Sequence, residues 1–344
     1  MNEYIIQIIL NHLKSQIQFY TNHLKITLIT LITNMGRVIR IGTRESQLAV
    51  WQATLVQDLL KENGYAAELV FIKSEGDIDL VTPLYEMGVQ GVFTRSLDLA
   101  LLNDRIDIAV HSMKDVPTQL PNGIIQSAVL KRASYKDILV VSGKLLVISG
   151  ESLTTYHLPL TIGTSSIRRK AQWLHRYPHH TIENLRGNVN TRLRKVSESN
   201  WHGAIFAAAG LERINLRPEN SIDLDWMLPA PAQGAIMVVC RDGDSFSFDA
   251  CQHFNDSPTA ICTKIERDFL RVLLGGCSTP ISALAEIKDN AIYFRGNVVA
   301  LDGSAKAEIE QTISFEDAEN GGAIAAKSLL EQGGQAIIDS IQKL

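Results

Sequence analysis

Arginines placed beside small residues are the feature of this chain most capable of chemistry. Arg168 and Arg169 follow the run Gly163-Thr164-Ser165-Ser166, and Arg186 and Arg192 bracket Gly187-Asn188-Val189-Asn190-Thr191. Arg44 stands just past the first expected strand. From Arg168 to Lys195 there are eight Lys/Arg and one acidic residue, Glu183, in a chain of formal net charge −4. A helix N-terminus offers free N–H donors and partial positive charge, so it favours anions. Thr and Ser let an anion approach the backbone, and a guanidinium grips carboxylate or phosphate at two points. The plainer reading is a solvated basic helix face. Placement of several arginines at strand-to-helix turns favours the anion site.

Two loops add reactive groups. In His111-Ser112-Met113-Lys114-Asp115-Val116-Pro117, the proline restricts Val116 to extended conformations and stiffens the loop. A carboxylate held there among cations could stabilise a developing positive charge or exchange protons with an amine. A structural Lys114–Asp115 pair fits equally well. In Gly275-Gly276-Cys277-Ser278-Thr279-Pro280, two glycines let the backbone pass close to something bulky. The thiol there is either reactive, helped by cations or a helix end, or a buried small hydrophobe. The second description suits Cys240, Cys251 and Cys262 better.

The elements that must position these groups alternate between strand and helix, as in α/β domains with largely parallel sheets. Strands are expected at 38–42, 68–73, 106–111, 136–142, 161–164, 181–184, 204–209 and 235–240, the last able to return to the first domain's sheet. Helices are expected at 47–63, with Leu48, Trp51, Leu55, Leu59 and Leu60 on its apolar face, at 93–103, after Ser165-Ser166, at 259–274 and near 323–331. Two more strands flank a turn at Asp289-Asn290. Thr43-Arg44, 112–115, 164–169 and 186–188 all follow expected strands, where ligands of such sheets bind.

Bulk properties narrow the class. The chain has 344 residues, 45% of them hydrophobic, enough for two or three domains. Its charge argues against nucleic acid as a partner. The four cysteines form no C-x-x-C pair and no disulfide framework, which fits a reducing cytosol. No zinc spacing or Walker-type phosphate loop occurs. The first 34 residues lack both the apolar length of a membrane span and the pattern of a signal peptide. Met35 is expected to be the true start, with the preceding residues an upstream-start artefact; a loosely attached appendage is the alternative.

Seven segments, in order, resemble the porphobilinogen deaminase (hydroxymethylbilane synthase) family: Ile41 to Ala53, Asp107 to Thr118, Ile162 to Gln172, Leu185 to Lys195, Ala207 to Ile214, Leu228 to Ile236 and Glu266 to Ile281. The resemblance spans nearly all of the chain from Met35 on. It implies two periplasmic-binding-protein-like lobes plus a small C-terminal α/β domain, divided as 35–132 with 230–255, 133–229, and 256–344. It also implies that four porphobilinogen molecules are joined head to tail, each losing ammonia, and that water releases hydroxymethylbilane. The primer is a dipyrromethane cofactor held by a thioether to the residue matching Cys277. Asp115 matches the catalytic aspartate, which stabilises the azafulvene cation left by ammonia. Lys114, Ser165, Arg168, Arg169, Arg186 and Gly187 match cofactor-binding positions; Arg44, Ser46, Arg192 and Arg213 match substrate-binding ones. A cytoplasmic monomer without metal, membrane or nucleic-acid partner is implied.

Four positions depart from the family pattern. Glu86 and Gln90 stand where a loop expected to act as a flap often carries lysines, and Ala232 and Ser282 stand where glycine is frequent. Two other classes share parts of the pattern: an anion receptor without catalysis, and a relative that kept the scaffold and lost activity. Asp115 and Cys277 together speak against the receptor.

Overall fold

The computed structural model describes residues 36–73, 94–142, 159–273 and 279–342. The N-terminal 34 residues, the loop with Glu86 and Gln90, and Cys277 lie outside the described residues.

The chain opens with β1 (Ile39–Thr43), α1 (Gln47–Glu62), β2 (Ala67–Phe71), α2 (Arg95–Leu102), β3 (Ile108–Ser112) and β4 (Ile124–Val129). It continues with β5 (Asp137–Val141), β6 (Thr161–Gly163), α3 (Ile167–Arg176), β7 (Thr181–Glu183), α4 (Val189–Glu198), β8 (Gly203–Ala207), α5 (Ala208–Glu212) and β9 (Ser221–Asp223). Then come β10 (Ile236–Arg241), α6 (Ser245–Gln252), α7 (Ser257–Val272), β11 (Ile281–Lys288), β12 (Ala291–Val299), β13 (Lys306–Ile313), α8 (Ala318–Leu329) and α9 (Gln335–Gln342).

These elements form three sheets. The first has the order β2-β1-β3-β10-β4, and the second the order β7-β6-β8-β5-β9. In the first lobe β1 runs parallel to β2 and β3, while β10 is antiparallel to β3 and β4. In the second lobe β6 runs parallel to β7 and β8, while β5 is antiparallel to β8 and β9. The two lobes therefore share one topology, and β10 does return to the first sheet. Both sheets are mixed rather than largely parallel, because the strand that arrives from the other lobe enters each sheet reversed. The third sheet, β11-β12-β13, is wholly antiparallel. Asp289 and Asn290 both have positive φ (48° and 59°), as a tight hairpin turn requires.

Both faces of the first sheet are covered. Ile39, Ile41, Ile108 and Val238 pack against Ala53, Val56 and Leu60 of α1, with Ala250 and Cys251 of α6. Ala109, Val129 and Val239 pack on the other face against Leu97, Ala100 and Leu101 of α2. The inward face of α1 is thus Ala49-Gln52-Ala53-Val56-Leu60. Of the expected face, Leu60 is buried and Leu55 and Leu59 pack partly against the same core, whereas Leu48 is half-buried and Trp51 exposed. Close packing of helix on sheet selects the small residues. The strand expected at 204–209 stops at Ala207, and Ala208, Ala209 and Gly210 open α5. Strands β4, β9 and β13 and helices α4, α6 and α9 add to the expected elements. The thiols of Cys240, Cys251 and Cys262 are buried, and burial pushes them up to about 11, 12 and 11.

The two crossings between lobes run side by side. Ala133 N donates to Gly234 O at 3.1 Å, and Arg132 Nε donates to Gln233 O at 2.8 Å. Gly234 has φ +89°, and a Cβ there would lie 2.7 Å from the Ala133 and Ser134 carbonyl oxygens. Ala232 is also left-handed, at φ 62°, a conformation that glycine adopts at less cost. Its buried N–H is held by Glu266 Oε2 at 2.6 Å. Ser282 is explained by a contact glycine lacks: its hydroxyl accepts from Gln172 Nε2 at 3.0 Å, joining the C-terminal sheet to α3.

Candidate active site

Strand β3 delivers the acidic loop. The Ser112 hydroxyl accepts from Gln52 Nε2 at 2.9 Å, and the buried Met113 begins a single 3₁₀ turn that ends at Asp115. Arg267 of α7 grips the loop from outside. Its Nη1 donates to the carbonyls of Val116 (2.9 Å) and Met113 (3.3 Å), and its Nη2 to that of Pro117 (2.6 Å). Lys114 turns away from its neighbour and donates to Gln233 Oε1 at 3.1 Å. Among the described residues no salt bridge joins Lys114 to Asp115. The Asp115 carboxylate is half-buried.

Strand-to-helix turns of the second lobe deliver the arginines. The Ser166 hydroxyl caps α3 by accepting from Arg169 N, and Asn188 Oδ1 caps α4 by accepting from Thr191 N. The Ser165 hydroxyl instead lies 2.6 Å from Leu185 O, bracing one turn against the other. Arg168 and Arg169 are each 5% exposed, which rules out a solvated helix face. Both converge on Asp137, the first residue of β5 and itself fully buried. Arg168 Nη2 donates to Oδ2 at 2.7 Å; Arg169 Nη2 and Nε donate to Oδ1 at 2.8 and 3.0 Å. Burial pushes the Asp137 carboxyl up, but the two guanidiniums outweigh it and hold it at about 2. The buried Arg168 Nε–H has no acceptor among the described residues.

Gly187 has φ +115°, and a Cβ there would lie 2.7 Å from Thr191 Cγ2, so the turn after β7 requires glycine. Arg186 is 4% exposed, and Arg192 Nε donates to Gly187 O at 2.7 Å. Arg192 joins the lobes electrically. Burial and the Arg169 charge pull its pKa down to about 10, Asp115 of the other lobe pulls it up, and Arg186 pulls it down. Lys114 behaves alike: burial, then Arg169, lower it to about 8, against the pull of Asp115 and Asp137. The structure therefore brings Lys114, Asp115, Arg168, Arg169, Arg186 and Arg192 into one cross-lobe cluster.

The remaining expected residues have other partners. Ser46 caps α1 by accepting from Ala49 N. Arg44 lies at the end of β1, where its charge helps burial hold His111 neutral. Arg213 donates to Gly234 O at 2.7 Å and stands 5.8 Å from the Trp51 ring centroid, so it buttresses the connector against α1. Asn190 also bridges the lobes, donating to Gln47 Oε1 at 2.9 Å. Asp137, Gln233 and Arg267 were not singled out from the sequence. One signal was available: an acidic residue opening the apolar strand Asp137-Ile138-Leu139-Val140-Val141 must find a cation.

The cluster carries more buried positive than negative charge and an orphaned guanidinium donor. Several carboxylates on one ligand would supply both the missing charge and the missing acceptor, so these residues fit an acetate- and propionate-bearing dipyrromethane. A two-lobed α/β protein with buried arginines at its strand ends, and with the Asp115 carboxylate close enough to act on Arg192, has the makings of an anion-handling site. Residues 39–248 match the family model "Porphobilinogen deaminase, dipyromethane cofactor binding domain", and residues 260–331 match "Porphobilinogen deaminase, C-terminal domain". The chain is 41% identical over 317 residues to the chloroplastic porphobilinogen deaminase of Oryza sativa, covering 89% of this chain and 87% of that one. It is 39% identical over 307 residues to that of Syntrophotalea carbinolica, covering 88% and 96%. Among solved structures it is similar to the methionine-binding protein MetQ, with a TM-score of 0.41, 14% identity and coverage of 65% and 92%. The chain belongs to the porphobilinogen deaminase family.

Proposed function

We propose that this chain joins four porphobilinogen molecules head to tail and, with one water, releases hydroxymethylbilane and four molecules of ammonia. The observation that carries the reading is the half-buried Asp115 carboxylate, in no salt bridge among the described residues, whose charge raises the pKa of Lys114 beside it and of Arg192 across the cleft. A dipyrromethane on Cys277 supplies the pyrrole primer. Lys114, Ser165, Arg168, Arg169, Arg186 and Gly187 hold its carboxylates, and Arg44, Ser46, Arg192 and Arg213 serve the incoming substrate. Asp115 stabilises the cation formed as ammonia leaves the substrate and relays the protons, accepting one as each carbon–carbon bond forms and returning it to the next departing amine. The three domains follow the division 35–132 with 230–255, 133–229, and 256–344, and the enzyme works as a cytoplasmic monomer.

The test is intact mass of acid-denatured protein together with product formation from porphobilinogen. A mass increment of one dipyrromethane on Cys277, with hydroxymethylbilane released, supports the reading. Folded protein with an unmodified Cys277 and no product overturns it. Asp115→Asn is expected to keep the increment and lower turnover by about 100- to 10,000-fold.

A further inference from the structure

Gln233 lies in the returning connector, wholly buried, with its side-chain amide between the two halves of the cluster. Its Nε2 donates to Asp137 Oδ1 at 2.9 Å and to Tyr135 O at 2.8 Å, and its Oε1 accepts from Lys114 Nζ at 3.1 Å. A carboxylate only accepts and an ammonium only donates, so the amide has one allowed orientation. Turning it over would set oxygen against oxygen and N–H against N–H at both ends. Asp137 in turn fixes Arg168 and Arg169. Lys114, Gln233, Asp137 and the arginine pair thus form one continuous hydrogen-bonded chain from the first lobe's loop to the second lobe's helix.

We propose that Gln233, oriented by Asp137, is a positioning residue that aims the Lys114 ammonium into the cleft, so that the two lobes present their cations as one array. This rests on Lys114 acting as a carboxylate binder in the proposed reaction. One of the three ammonium N–H groups is spent on Gln233, leaving two for a ligand. The charged groups facing Lys114 are Asp115 on its own loop, Asp137 on β5, and Arg168 and Arg169 on α3. The two arginines repel it, so without the amide oxygen the ammonium would swing away from them and from the site. A purely structural Gln233 would stabilise the connector independently of Lys114.

A double-mutant cycle separates these roles. Gln233→Met keeps the bulk and removes both ends of the relay. It is expected to lower kcat/KM about tenfold, the loss of a hydrogen bond to a charged group, and to lower the fraction of chains that carry the dipyrromethane mass. In the Lys114→Met background the same substitution is expected to change neither readout further. Equal losses in both backgrounds, or no loss with Lys114 intact, overturn the positioning role while leaving Lys114 as a binder. Normal loading and kcat/KM in Lys114→Met alone overturn both. Should Gln233→Met not fold, the same cycle run with Gln233→Asn decides, because its amide is one methylene too short to reach Lys114 and Asp137 together: a loss that vanishes in the Lys114→Met background supports the proposal, and an equal loss in both backgrounds overturns it.

Discussion

Glu266 of α7 holds Arg132 in a two-point grip, with Nη1–Oε1 at 2.5 Å and Nη2–Oε2 at 3.0 Å. The same carboxylate accepts the backbone N–H groups of Ala232 at 2.6 Å and Ala285 at 2.8 Å. One buried side chain thereby ties both inter-lobe crossings to the C-terminal sheet.

Removing it leaves a nearly buried guanidinium and two backbone donors without acceptors. Glu266→Ala is expected to cost about 3–5 kcal/mol, read as the shift in chemical denaturation. A cost under about 1 kcal/mol would mean that water or another group takes its place.

Gln172 presents a smaller case of the same logic. Its amide is fully engaged, donating to Leu228 O and the Ser282 hydroxyl and accepting from Leu228 N. Ser282→Ala strands one buried N–H and is expected to destabilise by about 1–3 kcal/mol. Equal thermal midpoints for the two proteins would contradict this account.

Among the described residues, Arg267 hydrogen-bonds to three carbonyls of the loop that bears Asp115. Arg267→Met is expected to lower kcat by about 10- to 100-fold through misplacement of that carboxylate, with little change in KM. Steady-state kinetics separate the two parameters, and a rise in KM alone would assign Arg267 to substrate binding instead.

An ammonium at Lys114 could bind carboxylate only while protonated, and burial with the Arg169 and Arg168 charges brings its pKa down from 10.5 to about 8. The sign follows directly: activity held below that value falls as pH rises through it. A kcat/KM profile is expected to show this alkaline limb. Lys114→Arg, whose guanidinium stays charged, should move it upward; an identical limb would assign the titration to another group.

Much of this site was legible because local order carries it. Thr43-Arg44, Lys114-Asp115, Ser165 to Arg169 and Arg186 to Asn188 each follow a strand, and strand ends can be read from short apolar runs. What stayed hidden depends on distance in sequence. Arg168 and Arg169 read as anion binders, but their mutual partner Asp137 lies in a strand that enters the sheet from the other lobe. The reversed direction of β5 and β10 likewise follows from crossings that periodicity does not encode. The inward face of α1 was legible at Leu60 and in part at Leu55 and Leu59, but Ala49 and Ala53 were missed and Trp51 overvalued, because Leu and Trp outweigh Ala in any hydrophobic pattern while close packing favours Ala.

The exchange of strands has a consequence for synthesis on the ribosome. The first lobe begins at Ile39 but lacks its fourth strand in sheet order until β10 at Ile236–Arg241 has emerged. The second lobe's described sheet has all five of its strands once β9 at Ser221–Asp223 has emerged. Domains usually fold as they leave the ribosome, N-terminal first. Here the later-made lobe can close its sheet before the earlier one, which must wait with an open edge beside β3.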